Sequence, residues 1–167
     1  WKMIHLLGHQ SVLSVNTSTG TEMNMAIVFT DIRGFTSMAE NMSPTDALSF
    51  LNSYFSSLAP IFEKHNGIID KFLGDGIMAL FVNPDDAIRA VTDYQHRLEQ
   101  YNYMHRSGDH RSFIQAGMGV HFGKVLLGAV GFEERLSISV GSDAVNLASR
   151  LDGLTKKEIF KNYVIEF

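Results

Sequence analysis

The sequence predicts an α+β fold, on three observations. Apolar runs and apolar stripes alternate in the order strand, helix, strand, strand, helix, strand, strand, short strand, helix. The strands are not separated one by one by helices, which argues against a doubly wound sheet. The 167 residues, 45% hydrophobic and 19% charged, suffice for one domain with a real core.

The same composition excludes several function classes. The net charge is −4 and no Lys/Arg block occurs, so nothing points to a nucleic-acid partner. Cysteine is absent, which excludes disulfides, thiolate metal sites and a cysteine nucleophile, and fits a reducing compartment. No apolar run approaches the ~20 residues of a membrane span, and the N-terminus has no signal-peptide layout. The first residue is Trp1, so a piece of a longer protein is expected.

Residues 1–22 read as a connector to an upstream domain, with 23–167 as the domain proper. Trp1, Ile4, Leu6 and Leu7 suit a short helix, and residues 8–20 are rich in Ser, Thr and Gly. Met25 to Phe29 is a run of strand length that leads into Thr30-Asp31-Ile32-Arg33-Gly34-Phe35-Thr36. A carboxylate at the end of a buried strand, before a Gly-containing turn, stands beside backbone N–H groups that can hold phosphate oxygens. A lone Asp in such a place is more often a helix cap. The balance changes only if a second carboxylate joins it.

A helix is predicted over 44–65. Ser43 caps it, Pro44 fills the first helical position and Asp46 favours the positive end of the dipole. Leu48, Leu51, Phe55, Leu58 and Phe62 mark its apolar face, and Gly67 stops it. Two apolar runs then flank Gly74-Asp75-Gly76, a hairpin from Ile68 to Phe81 that lifts Asp75 to the lip of a sheet. Asn83-Pro84-Asp85-Asp86 opens a second helix with Ala87, Ile88, Val91, Tyr94 and Leu98 on its apolar face. Ser107-Gly108-Asp109 is loop. Phe113 to His121 reads as a strand, with Gly123 turning it into a second strand, Lys124 to Val130. Leu136 to Val140 is a short strand. Asp143 to Leu151 is a helix with Asn146 and Arg150, four apart, on one side.

The start of this order matches a split βαβ, ferredoxin-like layout with helices on one face. The first strand is then expected beside the strand leading into the Asp75 turn, so that Asp31 and Asp75 converge on one edge. Two convergent carboxylates suit Mg²⁺ or Mn²⁺ shared with substrate phosphates. Two such ions roughly 3.5–4 Å apart can activate an attacking oxygen and stabilise a leaving one. Lys71 offers a hydrogen-bond donor on the incoming strand, and Asn146 with Arg150 offers a neutral donor and a cation for a charged transition state. Lys124 is either a polyphosphate contact or an exposed lysine. The seven histidines show no metal spacing.

Four segments together carry a specific resemblance: Phe29 to Thr36, Lys71 to Asp75, Gly119 to Val125, and Asp143 to Leu151. In order and spacing, over about residues 11–155, they resemble the catalytic domain of class III nucleotidyl cyclases, closest to bacterial adenylate cyclases. The resemblance implies a head-to-tail homodimer with shared active sites. It implies two Mg²⁺ or Mn²⁺ ions on Asp31, Asp75 and the Ile32 carbonyl. The turn amides of Gly34, Phe35 and Thr36, together with Lys124, would steady the phosphates. The partner chain would bring Lys71 and Ser139 to the purine, and Asn146 and Arg150 to the transition state.

In the family, guanylate cyclases carry Glu at the Lys71 position and usually Cys seven residues before the Asn146 position, where adenylate cyclases carry Asp or Thr. Lys71 can donate to adenine N1 and the Ser139 hydroxyl can accept from the adenine amino group, so the pair favours ATP. The implied activity is an adenylate cyclase making cyclic AMP and pyrophosphate in intracellular signalling. An upstream sensor is expected, and a cytoplasmic location whether or not the parent protein is membrane-anchored. The alternatives are a guanylate cyclase or a non-catalytic nucleotide-binding relative. A diguanylate cyclase would need a Gly-Gly-Asp/Glu-Glu-Phe turn, which is absent. After Lys156 the family continues with a strand, further elements and a late triphosphate-binding lysine. Residues 157–167 do not match that continuation, and Lys157 and Lys161 are poor substitutes, so the catalytic domain is expected to be incomplete at this end.

Overall fold

In the computed structural model, which describes residues 20–105, 113–132, 135–141, 143–155 and 163–166, the sheet grows around strand β1, Thr21–Ile32. The elements that follow are α1 (Phe35–Ala39), α2 (Pro44–Lys64), β2 (Ile68–Leu73), β3 (Gly76–Phe81), α3 (Pro84–Met104), β4 (Ala116–Phe132), β5 (Arg135–Gly141), α4 (Asp143–Leu154) and β6 (Tyr163–Glu166). The strand order is β2-β3-β1-β4-β5, with β6 parallel to β4. β1 is antiparallel to both β3 and β4, the arrangement of a split βαβ unit, so the α+β prediction holds.

The helix signals act as their chemistry requires. Ser43 Oγ accepts from the Asp46 N–H at 3.1 Å with Pro44 next in the chain, and Asn83 Oδ1 accepts from the Asp85 N–H at 3.0 Å with Pro84 next. Tyr54, Leu58 and Phe62 of α2 and Ala90, Val91, Tyr94 and Leu98 of α3 pack on Ala26, Val28, Ala79, Phe81 and Val120. Leu48, on the predicted stripe, is exposed. The alternate residues Met25, Ile27, Phe29, Met78 and Leu80 face the opposite way, onto Val125, Leu127 and the α4 residues Ala144 and Ala148. Thus α2 and α3 share one face, as expected, while α4 takes the other. It lies close because a Cβ at Gly119 would strike the backbone of Ala148 and Asp152.

Three further details differ from the sequence expectation. β1 pairs with β3, the strand leaving the Asp75 turn, rather than with β2. Gly123 makes no turn: it pairs with Met25 inside one continuous strand, β4, and lies where a Cβ would crowd Ala144 and His121. Glycine there permits close packing, and the hairpin comes later, between Phe132 and Arg135. Thr21 and Glu22, predicted as connector, belong to β1. Residues 1–19, the loop at 107–109, Lys157 and Lys161 lie outside the described residues, and the tail contributes β6 beside Met118–His121 of β4.

Candidate active site

Asp31 lies at the end of β1 and Asp75 in the turn between β2 and β3. Their approach is built from the backbone. Gly74 takes φ +61°, which lets the turn close tightly. A Cβ at Gly76 would run into the Thr30 carbonyl, so glycine lets β3 start hard against β1. The buried Thr30 Oγ1 then accepts from the Ile77 N–H at 3.1 Å, and Asp75 Oδ2 accepts from the Ile32 N–H at 3.1 Å.

The two carboxyl groups lie near enough for Asp31 to act on the charge of Asp75. Asp75 is pushed up to about 6 by partial burial first, then by the hydrogen bond and negative charge of Asp31. Two half-buried carboxylates beside the Ile32 backbone form an oxygen-only cluster with excess negative charge, which fits a hard divalent cation. Among the described residues no three His, Cys, Asp or Glu side chains gather to complete a cage. A cation there would need oxygens from a substrate as well.

Beneath the lip runs a line of buried hydroxyls. Tyr94 and Tyr54 are fully buried, and the Tyr94 hydroxyl donates to that of Tyr54 at 2.9 Å. Burial pushes Tyr94 up to about 12, opposed by its hydrogen bonds to Tyr54 and Thr30. Tyr54 is also raised, chiefly by burial and in small part by the charge of Asp75. The apolar stripe of α3 marks Tyr94 only as core. The missed signal is that a phenol buried at its tip needs a partner.

Arg33 follows the lip directly. Its pKa is lowered by burial, while Asp152 and Asp31 hold its charge. Gly34, at φ +65°, turns the chain into α1, and the amides of Phe35 and Thr36 begin that helix, where N–H groups lack intrahelical partners.

The other predicted residues stand apart. Lys71 is on β2, with its Nζ 3.1 Å from Asp70 Oδ2. Lys124 pairs with Asn24 and bonds Glu22 at 3.2 Å. Asn24 is seven residues from Asp31 along β1, about 23 Å, so Lys124 does not join the carboxylates of its own chain. Within one chain Lys124 therefore stands apart from the turn amides of Gly34, Phe35 and Thr36. Asn146 and Arg150 are exposed, on the side of α4 opposite Ala144, Ala148 and Leu151. Ser139 pairs with Gly128 in the β4–β5 ladder, and its side chain lies outside the described residues.

Comparison with known proteins places this geometry. The family model described as "Adenylate and Guanylate cyclase catalytic domain" matches residues 18–159. The chain is 38% identical to an adenylate cyclase of Anabaena cylindrica over 93% of its own length and 32% of that protein. It is 39% identical to the terminal-differentiation-specific adenylate cyclase of Dictyostelium discoideum, over 86% of this chain and 7% of that one. The chain thus spans about a third or less of these curated relatives. Among solved structures, the guanylyl cyclase Cya2 is 34% identical with a TM-score of 0.72, over 81% of this chain and 72% of that one. The adenylyl cyclase CyaB from P. aeruginosa is 28% identical with a TM-score of 0.74, over 81% and 74%. By its sheet order, its carboxylate lip and these matches, the chain belongs to the class III nucleotidyl cyclases, as an adenylate and guanylate cyclase catalytic domain.

Proposed function

We propose that the domain is an adenylate cyclase, converting ATP to 3′,5′-cyclic AMP and pyrophosphate at sites shared by two copies of the chain. The observation that carries this reading is the paired lip of Asp31 and Asp75, with Lys71 on the same hairpin. Asp31, the Ile32 carbonyl and Asp75 would hold two Mg²⁺ or Mn²⁺ ions. When bound, these ions supply positive charge that activates the ribose 3′-oxygen and neutralises the phosphates. The amides of Gly34, Phe35 and Thr36 bind phosphate oxygens. The second copy brings Lys71 and Ser139 to the purine, donating to adenine N1 and accepting from its amino group. It also brings Asn146 and Arg150, whose outward placement on α4 suits a role across an interface.

The 3′-hydroxyl gives up its proton to water, and the new bond joins its oxygen to the α-phosphorus. The bond that breaks joins the α-phosphorus to the bridging oxygen, which leaves with pyrophosphate. The protein contributes positioning and charge stabilisation, and no side chain forms a covalent intermediate. Among the described residues no helix is long and apolar enough to cross a membrane, and a cytoplasmic location beside an upstream sensor belongs to the same proposal.

A guanylyl cyclase is the second reading, favoured by the 34% identity to Cya2 and by the small, uncharged Ser139. Incubation with Mn²⁺ and either ATP or GTP, with the product identified by mass, tests both. Cyclic AMP formation that Asp31→Ala abolishes is the expected result. A clear preference for GTP would overturn the use assigned to Lys71, and normal turnover by Asp31→Ala would overturn the metal assignment.

A further inference from the structure

The β2–β3 ladder slips by one residue between Ile69 and Lys71. Ile68 pairs with Leu80 and Ile69 with Ala79, but the next pairs are Lys71 with Met78 and Phe72 with Ile77. Asp70 is the extra residue of a β-bulge. Its effect follows from the period of two along a strand, where one residue of slip exchanges the faces. Without it, Lys71 would share a face with Ile69, toward α2. With it, Lys71 shares the face of Ile68, Met78 and Leu80, while Phe72 turns toward α2 and meets Phe55 at 4.7 Å.

The bulge has a second consequence. Neighbouring side chains on a regular strand point to opposite faces, yet Asp70 Oδ2 lies 3.1 Å from Lys71 Nζ. The Asp70 side chain is only 2% exposed, whereas that of Lys71 is 41% exposed. Asp70 Oδ2 has no hydrogen-bond partner of standard geometry, so the Lys71 ammonium is the group that compensates its buried charge. A long, mobile cation is thereby tied at its tip to a carboxylate that packing holds still.

We propose that Asp70 is a positioning residue for purine selection, presenting the Lys71 ammonium as a fixed donor that favours adenine over guanine. This rests on the reading of Lys71 as the purine contact. A tethered donor loses less freedom when it meets adenine N1, which accepts. It also cannot swing aside from the N1 and N2 donors of guanine, so the same tether that favours ATP disfavours GTP.

Steady-state kinetics with ATP and GTP on Asp70→Asn, Asp70→Glu, Lys71→Gln and the double variant Asp70→Asn/Lys71→Gln test it. Asp70→Asn keeps the shape and removes the charge. It is expected to lower the ATP-over-GTP ratio of kcat/KM by about 10-fold, mainly through a higher KM for ATP. Asp70→Glu should recover part of the ratio, and the double variant should be no less selective than Lys71→Gln alone. If Lys71→Gln lowers the ratio and Asp70→Asn leaves it unchanged, the role of Asp70 is overturned while Lys71 stands. An equal fall in kcat for both nucleotides, with a lower melting temperature and an unchanged ratio, marks Asp70 as structural only and also overturns it. An unchanged ratio in Lys71→Gln removes Lys71 as the purine contact, and the proposal falls with it.

Discussion

Replacing Asp75 by Asn should stabilise the metal-free protein while abolishing its activity. The new carboxamide oxygen can still accept from the Ile32 N–H, so the turn keeps its tie to β1. What disappears is a negative charge beside Asp31. The pKa of Asp75 rises from 3.8 to about 6 in the folded protein. Between those values the folded state binds more protons than the unfolded one, so stability falls as pH rises through that window. The rise corresponds to about 3 kcal/mol between the protonation states. Screening by water at the open lip reduces the part felt as stability to roughly 1–2 kcal/mol. For a domain of this size that is about 2–8 °C in melting temperature. Thermal melts in chelator at pH 7.5 should show the Asp75→Asn variant melting higher than wild type by that amount, and melts at pH 4 should show little difference. Cyclase turnover should fall at least ~100-fold. A lower melting temperature at pH 7.5 with turnover retained would refute this, because it would make Asp75 an ordinary structural carboxylate.

Two further substitutions probe how the lip is supported. Tyr94→Phe leaves the buried Tyr54 hydroxyl without its donor and should cost about 1–3 kcal/mol by denaturant unfolding. An unchanged midpoint would remove the hydroxyl line from the account. Gly76→Ala pushes a methyl group against the Thr30 carbonyl and should destabilise by roughly 1–3 kcal/mol while weakening Mn²⁺ binding in a calorimetric titration. Unaltered Mn²⁺ affinity would mean that the close start of β3 does not shape the lip.

Local chemistry was readable from the sequence where a few adjacent residues decide the outcome. The Gly74-Asp75-Gly76 turn, the Ser43 and Asn83 caps and the apolar stripes of α2 and α3 are of this kind. The convergence of Asp31 and Asp75 was also legible, because a split βαβ brings the two turns to one edge, although the neighbour is β3 and not β2. Glycine misled at position 123, since a missing side chain serves close packing on α4 as readily as it serves a turn. The placement of α4 on the second face depends on Gly119 meeting Ala148 and Gly123 meeting Ala144, across a distance in sequence that no local pattern records. The bulge at Asp70 was hidden for a similar reason. Register belongs to a pair of strands, and Ile68 to Leu73 alone read as regular. The tie between Tyr54 and Tyr94 needs two helices to pack before either phenol has a partner.

The most direct test of the central claim, that each active site is made by two chains, is a mixing experiment. Asp31→Ala and Arg150→Ala chains, each inactive alone, are combined in equal amounts, allowed to exchange and assayed for cyclic AMP. A mixed dimer has one site with both defects and one with neither. Since half of the dimers are mixed, activity should return to about a quarter of wild type. No recovery after verified exchange would contradict the account, because it would mean that Asp31 and Arg150 serve the same chain's site.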